Sequence, residues 1–480
     1  MPFRFSILFL SSLLLLATAG VLSAQTPAPM TLEQCVQYGL DNHPDIKAAR
    51  LAITDAEWRV KENKATGLPQ ASLSAGYTGF LQRGGLPSSA LSFGPSGPPP
   101  DLNSVKGLTA DQAGGVLSLL GSLFQSDPNS KIYFTPVHNI SGTVGVNQLI
   151  FNNSYLVALK AARYYREYVD IQLSVAKNKV SNAVRDAYLP ALLLSESLKT
   201  IDKNIGNLEK IWNDTKAINK AGFAEQLDVD RLELSLSNLR SERSNLVRQR
   251  EIVVNALKLA MGMPIANAID PSDDVNKLLA ADAKEVDLTS AANFMNRPEY
   301  MQLLKGRELS ALQVDLYRRP FAPTVAGFLQ YQPQVQGGFG SRSSDNFNKW
   351  YFIPSAVAGI NVSLPLWDSG LNKARKARAM IAVQTIEAQK EMLENAFTLE
   401  LDVARKQYLN AQERVANQQK NLELAQRIYD TTQKKYTAGI GSSFEITQAE
   451  AALYSAQQNV LQAQYDLLTA RTAIQKAMGN

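Results

Sequence analysis

Residues 404–479 read ARKQYLNAQERVANQQKNLELAQRIYDTTQKKYTAGIGSSFEITQAEAALYSAQQNVLQAQYDLLTARTAIQKAMG, and small or apolar residues recur there with four-three spacing on both sides of a glycine turn. These positions are Ala404, Tyr408, Ala411, Val415, Gln418, Leu422, Ala425, Tyr429, Thr432 and Tyr436 before the turn, and Ile446, Ala449, Leu453, Ala456, Val460, Ala463, Leu467, Ala470, Ile474 and Ala477 after it. A seven-residue period of this length predicts two long helices paired as an antiparallel coiled-coil hairpin. An ordinary pair of core helices is disfavoured, because such helices rarely exceed about 20 residues.

The same spacing of proline, tyrosine and glycine residues occurs twice in the 480 residues. Pro44 and Pro298 each open a segment that has a second proline 25 residues on and a tyrosine 33 residues on. The Ala-Gly pairs at 221–222 and 438–439 are each followed by a Met-Gly pair after 40 residues. A repeat of this length predicts one structural unit used twice.

The predicted organisation is a signal peptide followed by two repeats of an α+β fold. Residues 1–24 have the positive start, apolar centre and small-residue end of an export signal, and the apolar run is too short for a transmembrane helix. The first repeat, residues 25–280, contains strands 70–80 and 139–151 and a helical hairpin at 152–262; the second, residues 281–480, contains strands 324–331 and 356–367 and a hairpin at 369–479. Pro190 predicts a kink or a local break in the first hairpin.

The four predicted strands alternate between an apolar and a small polar face. In the last one, Ile360 and Val362 share the apolar face, whereas Asn361 and Ser363 share the polar one. Such strands, with aromatic residues at their ends, are typical of transmembrane barrels, although a soluble sheet with one wet face gives the same pattern. The predicted interfacial aromatic residues are Phe151 and Trp367 on one side, and Trp350, Tyr351 and Phe352 on the other.

Four strands cannot close a barrel, and open sheet edges are not tolerated in hydrocarbon. The export signal and the long hairpins favour the membrane interpretation. The sequence therefore predicts that several copies share one barrel, each contributing four strands; three copies would give twelve strands.

Composition argues against catalysis and nucleic-acid binding. The net charge is only +5, and the 49 basic residues are interleaved with 44 acidic ones, which is typical of a solvated surface. The two histidines, His43 and His138, lie in different predicted elements, and neither a nucleophile–base cluster nor a phosphate loop is evident. We therefore expect no enzyme activity, no cofactor and no metal site. Cys35 is the single cysteine and is expected to be inert on a helix face.

Short motifs mark the ends of the predicted elements. They are Thr31-Leu32-Glu33-Gln34 ahead of Asn42-His43-Pro44, Gly67-Leu68-Pro69-Gln70, Leu364-Pro365-Leu366-Trp367-Asp368-Ser369-Gly370, Tyr436-Thr437-Ala438-Gly439 followed by 442–450, and Ala477-Met478-Gly479. With these motifs the chain resembles the TolC family of outer-membrane efflux proteins over essentially all of its mature length. The resemblance implies a homotrimer, a barrel in the outer membrane, and a twelve-helix tunnel that extends into the periplasm.

The resemblance also implies a function and its partners. Members of the family are exit ducts of tripartite efflux or type I secretion systems. They conduct substrates passively from an inner-membrane transporter, and they dock through a periplasmic adaptor, the membrane fusion protein. The turns of the two hairpins would be the periplasmic tips, although glycine there also suits an ordinary left-handed helix end. The implied adaptor contacts are Gly222, Phe223, Gly439 and Ile440.

Family members carry aspartates that ring the tunnel entrance just beyond each tip. The matching positions here are Glu445 and Gln448 in the second repeat, and Asp228 with the neighbouring Arg231 in the first. A ring of carboxylates would attract cations. Because Gln448 is not acidic, a double acidic ring is in doubt. Glu445 also has capping-box spacing from Ser442, so a purely structural role stays open.

Two other classes of protein contain long helical hairpins. A periplasmic adaptor would have one hairpin flanked by small β-domains, whereas this chain has two hairpins. A periplasmic coiled-coil scaffold would be extracted without detergent. The loop at 81–137, rich in Gly, Pro and Ser, is expected to occlude or gate the outer end of a channel.

Overall fold

The computed structural model describes residues 28–87, 111, 131–133, 135–281, 293–338 and 348–479. The predicted signal peptide and most of the predicted loop at 81–137 lie outside these residues. The chain forms two compact units. The first contains residues up to Trp58, Ala161–Val314 and Ala377 onward, and the second contains Arg59–Lys160 and Asp315–Lys376.

Helices dominate the first unit. In chain order the helices are α1 (Leu32–Asn42), α2 (Pro44–Ala65), α3 (Asn153–Lys220), α4 (Gln226–Met261), α5 (Val275–Ala281), α6 (Pro298–Leu316), α7 (Leu371–Thr437) and α8 (Ser443–Met478). The outgoing helices α3 and α7 have 68 and 67 residues, roughly 100 Å each, and the returning helices α4 and α8 have 36 residues each. Among the described residues, none of the helices combines the length and apolarity needed to cross a membrane.

The positions with four-three spacing, here called the seam, are buried to different extents on the two helices of the second hairpin. Nine of its ten positions on α8 are buried, and at the tenth Leu468 is buried in place of Leu467. On α7 only Ala404, Ala411 and Tyr429 of the predicted seam are buried, and the other positions are half-buried. The difference arises because α8 packs on the first hairpin as well as on α7. One core cluster unites Ile201, Ile205, Leu208 and Ile211 of α3, Leu232, Leu236 and Leu246 of α4, Tyr429 of α7, and Ile446, Ala449 and Leu453 of α8.

The first hairpin differs from expectation at Pro190. The predicted local break is wrong, because α3 runs without interruption from Asn153 to Lys220. Proline lacks the amide proton that would bond to the carbonyl four residues earlier. Next to it, Tyr188 and Leu192 are 0% and 1% exposed, so core packing holds the helix across this missing hydrogen bond.

The strands are β1 (Ala28–Met30), β2 (Gln70–Gly79), β3 (Leu86–Pro87), β4 (Lys131–Ile132), β5 (His138–Phe151), β6 (Ile269–Pro271), β7 (Thr324–Gly337) and β8 (Trp350–Ser363). The main sheet lies in the second unit and has the order β2-β5-β7-β8, with every neighbouring pair antiparallel. Its two edges are therefore β2 and β8. Strand β1 pairs in parallel with β6, and β3 pairs with β4.

Strands β7 and β8 differ from their predicted ranges of 324–331 and 356–367. Strand β7 continues to Gly337, and β8 begins at Trp350 and ends at Ser363. The cause is a pair of opposed prolines, Pro333 and Pro354, which lie inside the hairpin although prolines usually mark strand ends. At its other end β8 stops at Ser363, so Trp367 lies beyond the strand.

The register gathers apolar residues of all four strands on one face. Leu73, Val144, Tyr331 and Ala356 form one cross-strand row. The first three are 77%, 49% and 46% exposed, so none of the described residues covers this apolar face. The opposite face carries rows such as Ser72, Gly145 and Gln330.

The returning helices end with the same contact. Gly262 ends α4 with φ 68°, and a Cβ atom there would lie 2.9 Å from the Cα of His43 and the Cδ of Pro44. Gly479 ends α8 with φ 82°, and a Cβ atom there would lie 3.0 Å from the Cβ of Asn296. In both cases the contacted residues lie directly at the start of a helix that opens with proline, α2 or α6. The equivalent packing matches the two-fold pattern of the sequence.

Candidate functional site at the hairpin turns

The two hairpin turns have the same backbone geometry. Gly222 and Gly439 adopt φ values of 82° and 75°. Each glycine amide donates to the carbonyl three residues earlier, at 2.9 and 3.0 Å, and the next amide donates to the carbonyl five residues earlier, at 3.1 Å in both turns. This is the Schellman helix end, which requires a left-handed residue and therefore favours glycine.

Apolar side chains project from these turns. Phe223 is 86% exposed and Ile440 is 80% exposed, and Phe444, in the first turn of α8, is 60% exposed. Within the described residues, no atom lies within 4 Å of a Cβ built on either Gly222 or Gly439. Exposed apolar groups concentrated at the end of a helical structure are typical of a protein-binding surface.

Near the turns, two side-chain hydrogen bonds join the first hairpin to the second. The buried Ser443 hydroxyl, on α8, donates to Oδ1 of Asp228, on α4. The hydroxyls of Thr215, on α3, and Tyr436, on α7, are 2.7 Å apart. Burial raises the pKa of Tyr436, and the negative charge of Asp228 raises it further, while the hydrogen bond to Thr215 lowers it. We name these four residues the turn link.

The structure separates the four predicted entrance residues. Asp228 is half-buried within the turn link, whereas Glu445, Gln448 and Arg231 are exposed. The Ser442 hydroxyl caps α8 by accepting from the amide of Glu445 at 3.2 Å. The Arg231 guanidinium lies 6.0 Å from the centre of the Phe444 ring.

Ser443, Thr215 and Tyr436 were not identified as a functional set from the sequence. In the sequence, Ser443 is only a second polar residue at a predicted helix start. Thr215 is an ordinary residue within the long helix α3. The detectable signal was Tyr436, a polar aromatic residue that ends the predicted seam of α7.

The predicted interfacial aromatic residues belong to the second unit. Trp350 and Phe352 are 55% and 62% exposed and lie on the apolar face of the sheet, while Tyr351 lies on the other face. The ring of His138 stacks between Trp350, at 5.8 Å, and Tyr77, at 6.1 Å. The Tyr77 hydroxyl is 2.8 Å from Nδ1 of His138. On the other side, Phe151 and Trp367 are 38% and 83% exposed.

Cys35 shows no sign of reactivity. It is 0% exposed, and burial, with a smaller effect of Asp273, raises the pKa of its thiol to about 12. The described residues contain no group of three or more His, Cys, Asp or Glu side chains that would hold a metal ion.

This combination of two long hairpins and a four-stranded antiparallel sheet is the fold of outer-membrane channel proteins. Solved structures with this fold include VceC of Vibrio cholerae, which covers 94% of this chain and 96% of that chain with a TM-score of 0.64 and 15% identity. They also include CmeC of Campylobacter jejuni, which covers 96% and 90%, with a TM-score of 0.64 and 15% identity. Because both structures are only 15% identical in sequence, these similarities establish the fold alone.

Sequence comparisons point to the same class of protein. The family described as outer membrane efflux protein matches residues 295–480. TtgC of Pseudomonas putida, a probable efflux pump outer membrane protein, is 23% identical over 458 residues, or 93% of this chain and 82% of TtgC. OpmQ of Pseudomonas aeruginosa, a pyoverdine export outer membrane protein, is 24% identical over 336 residues, or 68% of this chain and 65% of OpmQ. These matches confirm the resemblance to outer-membrane efflux proteins that the motifs predict.

The same comparisons confirm two further predictions. The protein is an outer-membrane protein that extends into the periplasm, and its exit-duct role is confirmed at the level of the family. The family consists of transport channels rather than enzymes.

Proposed function

We propose that three copies of this chain form an outer-membrane exit duct of a tripartite efflux or type I secretion system. In this proposal the duct passively conducts substrates from a periplasmic adaptor–transporter complex to the exterior. The observation that carries the proposal is the four-stranded sheet, which has two open edges and an uncovered apolar face.

The open edges support a shared barrel. A protomer presents β2 at one edge and β8 at the other, and unpaired backbone groups are costly in lipid. Pairing β8 of one copy with β2 of the next satisfies both edges, and three copies give a twelve-stranded barrel with its apolar face toward lipid. The aromatic residues Phe151, Trp350, Tyr351, Phe352 and Trp367 would then lie near the two membrane interfaces.

The hairpin turns are the proposed adaptor-binding surface. Gly222 and Gly439 shape the two turns, and Phe223 and Ile440 supply exposed apolar side chains to a helical partner. In a trimer this surface is repeated three times, so weak contacts would add through multivalency.

The residues beyond the turns form the proposed pore entrance. Three copies of the exposed Glu445 around an axis would favour cations, with Gln448 adding no charge and Arg231 opposing the effect. Opening requires the second hairpin to move away from the first, which would break the bond between Ser443 and Asp228.

Single-channel recording in planar bilayers tests this entrance. We expect the substitution D228A to raise conductance, because it removes the bond that holds the hairpins together, and E445A to reduce cation selectivity. The matched control is E413A, since Glu413 is an exposed carboxylate on α7 far from the turns, and it should leave both properties unchanged. If D228A and E445A behave like E413A, the proposed entrance is wrong.

Fractionation tests the duct as a whole. On a sucrose gradient the protein should sediment with outer membranes, and on unboiled gels it should migrate as a trimer. Recovery as a monomer in a detergent-free extract would instead support a periplasmic scaffold.

A further inference from the structure

Five polar residues recur on one face of α8 at intervals of seven. They are Ser443, Glu450, Gln457, Gln464 and Arg471. Three of these residues have neutral side chains that form hydrogen bonds with residues outside the second hairpin. Ser443 donates to Asp228, Gln457 accepts from Asn204 at 2.7 Å, and Gln464 donates to Asn276 at 3.2 Å. We name this row the heptad polar stripe.

Glu450 is the exceptional acidic member of the stripe. Its side chain is 4% exposed, and neither carboxylate oxygen has a hydrogen-bond partner among the described residues. It lies seven residues into α8, roughly 10 Å from the start of the helix. A buried carboxylate in this condition is costly when it is ionised, because nothing replaces its lost hydration.

Tyr429 of α7 is the polar neighbour of Glu450 across the hairpin. It is 4% exposed, and within the same set of residues its hydroxyl is also without a hydrogen bond. The Tyr429 hydroxyl and the Glu450 carboxyl group interact electrostatically. Burial raises the pKa of Tyr429, and the charge of Glu450 raises it further. Burial likewise raises the pKa of Glu450 to about 7, with a smaller opposing effect of Tyr429.

The charged groups that surround this part of α8 lie on the helices packed against it. On α7, Asp430 adds negative charge beside Tyr429. On α4, Asp228 acts on Tyr436 and Glu242 acts on Tyr454, while the cations Arg231 and Arg243 lie near the Phe444 ring and Asp202.

The remaining neighbour, α3, contributes mainly apolar side chains. Ile205, Leu208 and Ile211 pack into the same cluster as Tyr429. Lys216 lies 4.5 Å from the centre of the Trp212 ring, so this cation is engaged with an aromatic face.

We propose that Glu450 is a proton-operated latch between α7 and α8 near the hairpin turns. When protonated, the neutral carboxyl group tolerates burial beside Tyr429, and α7 stays packed on α8. When the proton leaves to solvent, the carboxylate requires hydration, which it obtains only if α7 moves away. Because Tyr429 also packs in the cluster shared with the first hairpin, loosening α7 would weaken the packing between the hairpins and favour opening, a consequence that rests on the exit-duct function proposed above.

The direction of the pH effect follows from linkage. The packed state binds the proton more tightly than the open state, where the carboxyl group is hydrated. Packing is therefore most stable at acidic pH and weakens as pH rises toward neutrality, by at most about tenfold in the opening equilibrium for each pH unit. Above neutrality both states are ionised and the effect levels off.

Hydrogen–deuterium exchange on the full chain in detergent tests the latch. Between pH 5 and pH 8, corrected for intrinsic exchange, we expect protection of the segments around Tyr429 and Glu450 to fall as pH rises. The substitution E450Q should keep protection high and remove the pH dependence. The matched control, E413Q, should behave as wild type, because Glu413 is exposed on the same hairpin. In Y429F the fall should move to higher pH, since the hydroxyl lowers the pKa of Glu450.

Equal pH dependence of exchange in wild type and E450Q would overturn the latch. Conductance at the same pH values separates this result from the fate of the duct. If the protein conducts but E450Q changes nothing, the latch is wrong and the duct stands. If no channel forms while E450Q still removes the pH dependence of exchange, the latch stands and the duct is wrong.

Discussion

The glycines that end the helices allow a sharp test of the packing. Replacing Gly262 with alanine places a side chain on a residue with φ 68°, and leaves its Cβ 2.9 Å from backbone and ring atoms of His43 and Pro44. The left-handed conformation costs roughly 1–2 kcal/mol for a residue other than glycine. Overpacking against atoms that cannot easily shift costs about 1–3 kcal/mol more. We expect G262A to destabilise each protomer by about 2–5 kcal/mol.

The matched control is G222A. Gly222 has a similar φ of 82°, but within the described residues a Cβ there meets no atom within 4 Å. This variant should therefore lose only the conformational part, about 1–2 kcal/mol. Thermal unfolding of detergent-solubilised protein, followed by circular dichroism at one scan rate, compares the two. Equal shifts in Tm would refute the reasoning, because the close contact would then contribute nothing.

Three further predictions concern the buried interior. Cys35 should resist maleimide at pH 8 in the folded protein and react once it is unfolded, because burial and a pKa of about 12 keep its thiol protonated and inaccessible; rapid labelling would contradict this. Y188F should lower the free energy of unfolding by about 2–3 kcal/mol, since the hydroxyl donates its proton to Asp273 at 2.8 Å and accepts from the amide of Asp273 at 3.3 Å; an unchanged Tm would count against this. P190A should raise Tm by restoring a helical hydrogen bond worth about 1 kcal/mol, and a lower Tm would show that the proline ring packs better than alanine.

The helices were predictable because their signal is local and repeated. The seam of α8 is recognisable over ten positions, so a single error at Leu467 does not disturb the assignment. The unequal burial of α7 was not predictable, because it depends on α8 also packing against the first hairpin. The effect of Pro190 was misjudged for the same reason, since tertiary packing around it overrides a local rule.

The sheet and the candidate site show the limits of reading a sequence alone. Alternation identified all four strands of the main sheet, but Pro333 concealed the outer part of β7 because a proline inside an inner strand is unusual. At the turns, the glycines and exposed apolar residues are visible in the sequence. The bond between Asp228 and Ser443 joins residues 215 positions apart, and no local pattern encodes it.

The two different edges of the sheet have a genetic consequence if the barrel is shared. Joining β8 of one copy to β2 of the next is a heterologous contact, which repeats around the ring until it closes. A chain with a damaged β8 edge would still offer an intact β2 to a normal neighbour and so enter the ring. With equal amounts of both chains, only about one ring in eight would be free of the damaged one. Such alleles should therefore be dominant, whereas null alleles of the same gene should be recessive.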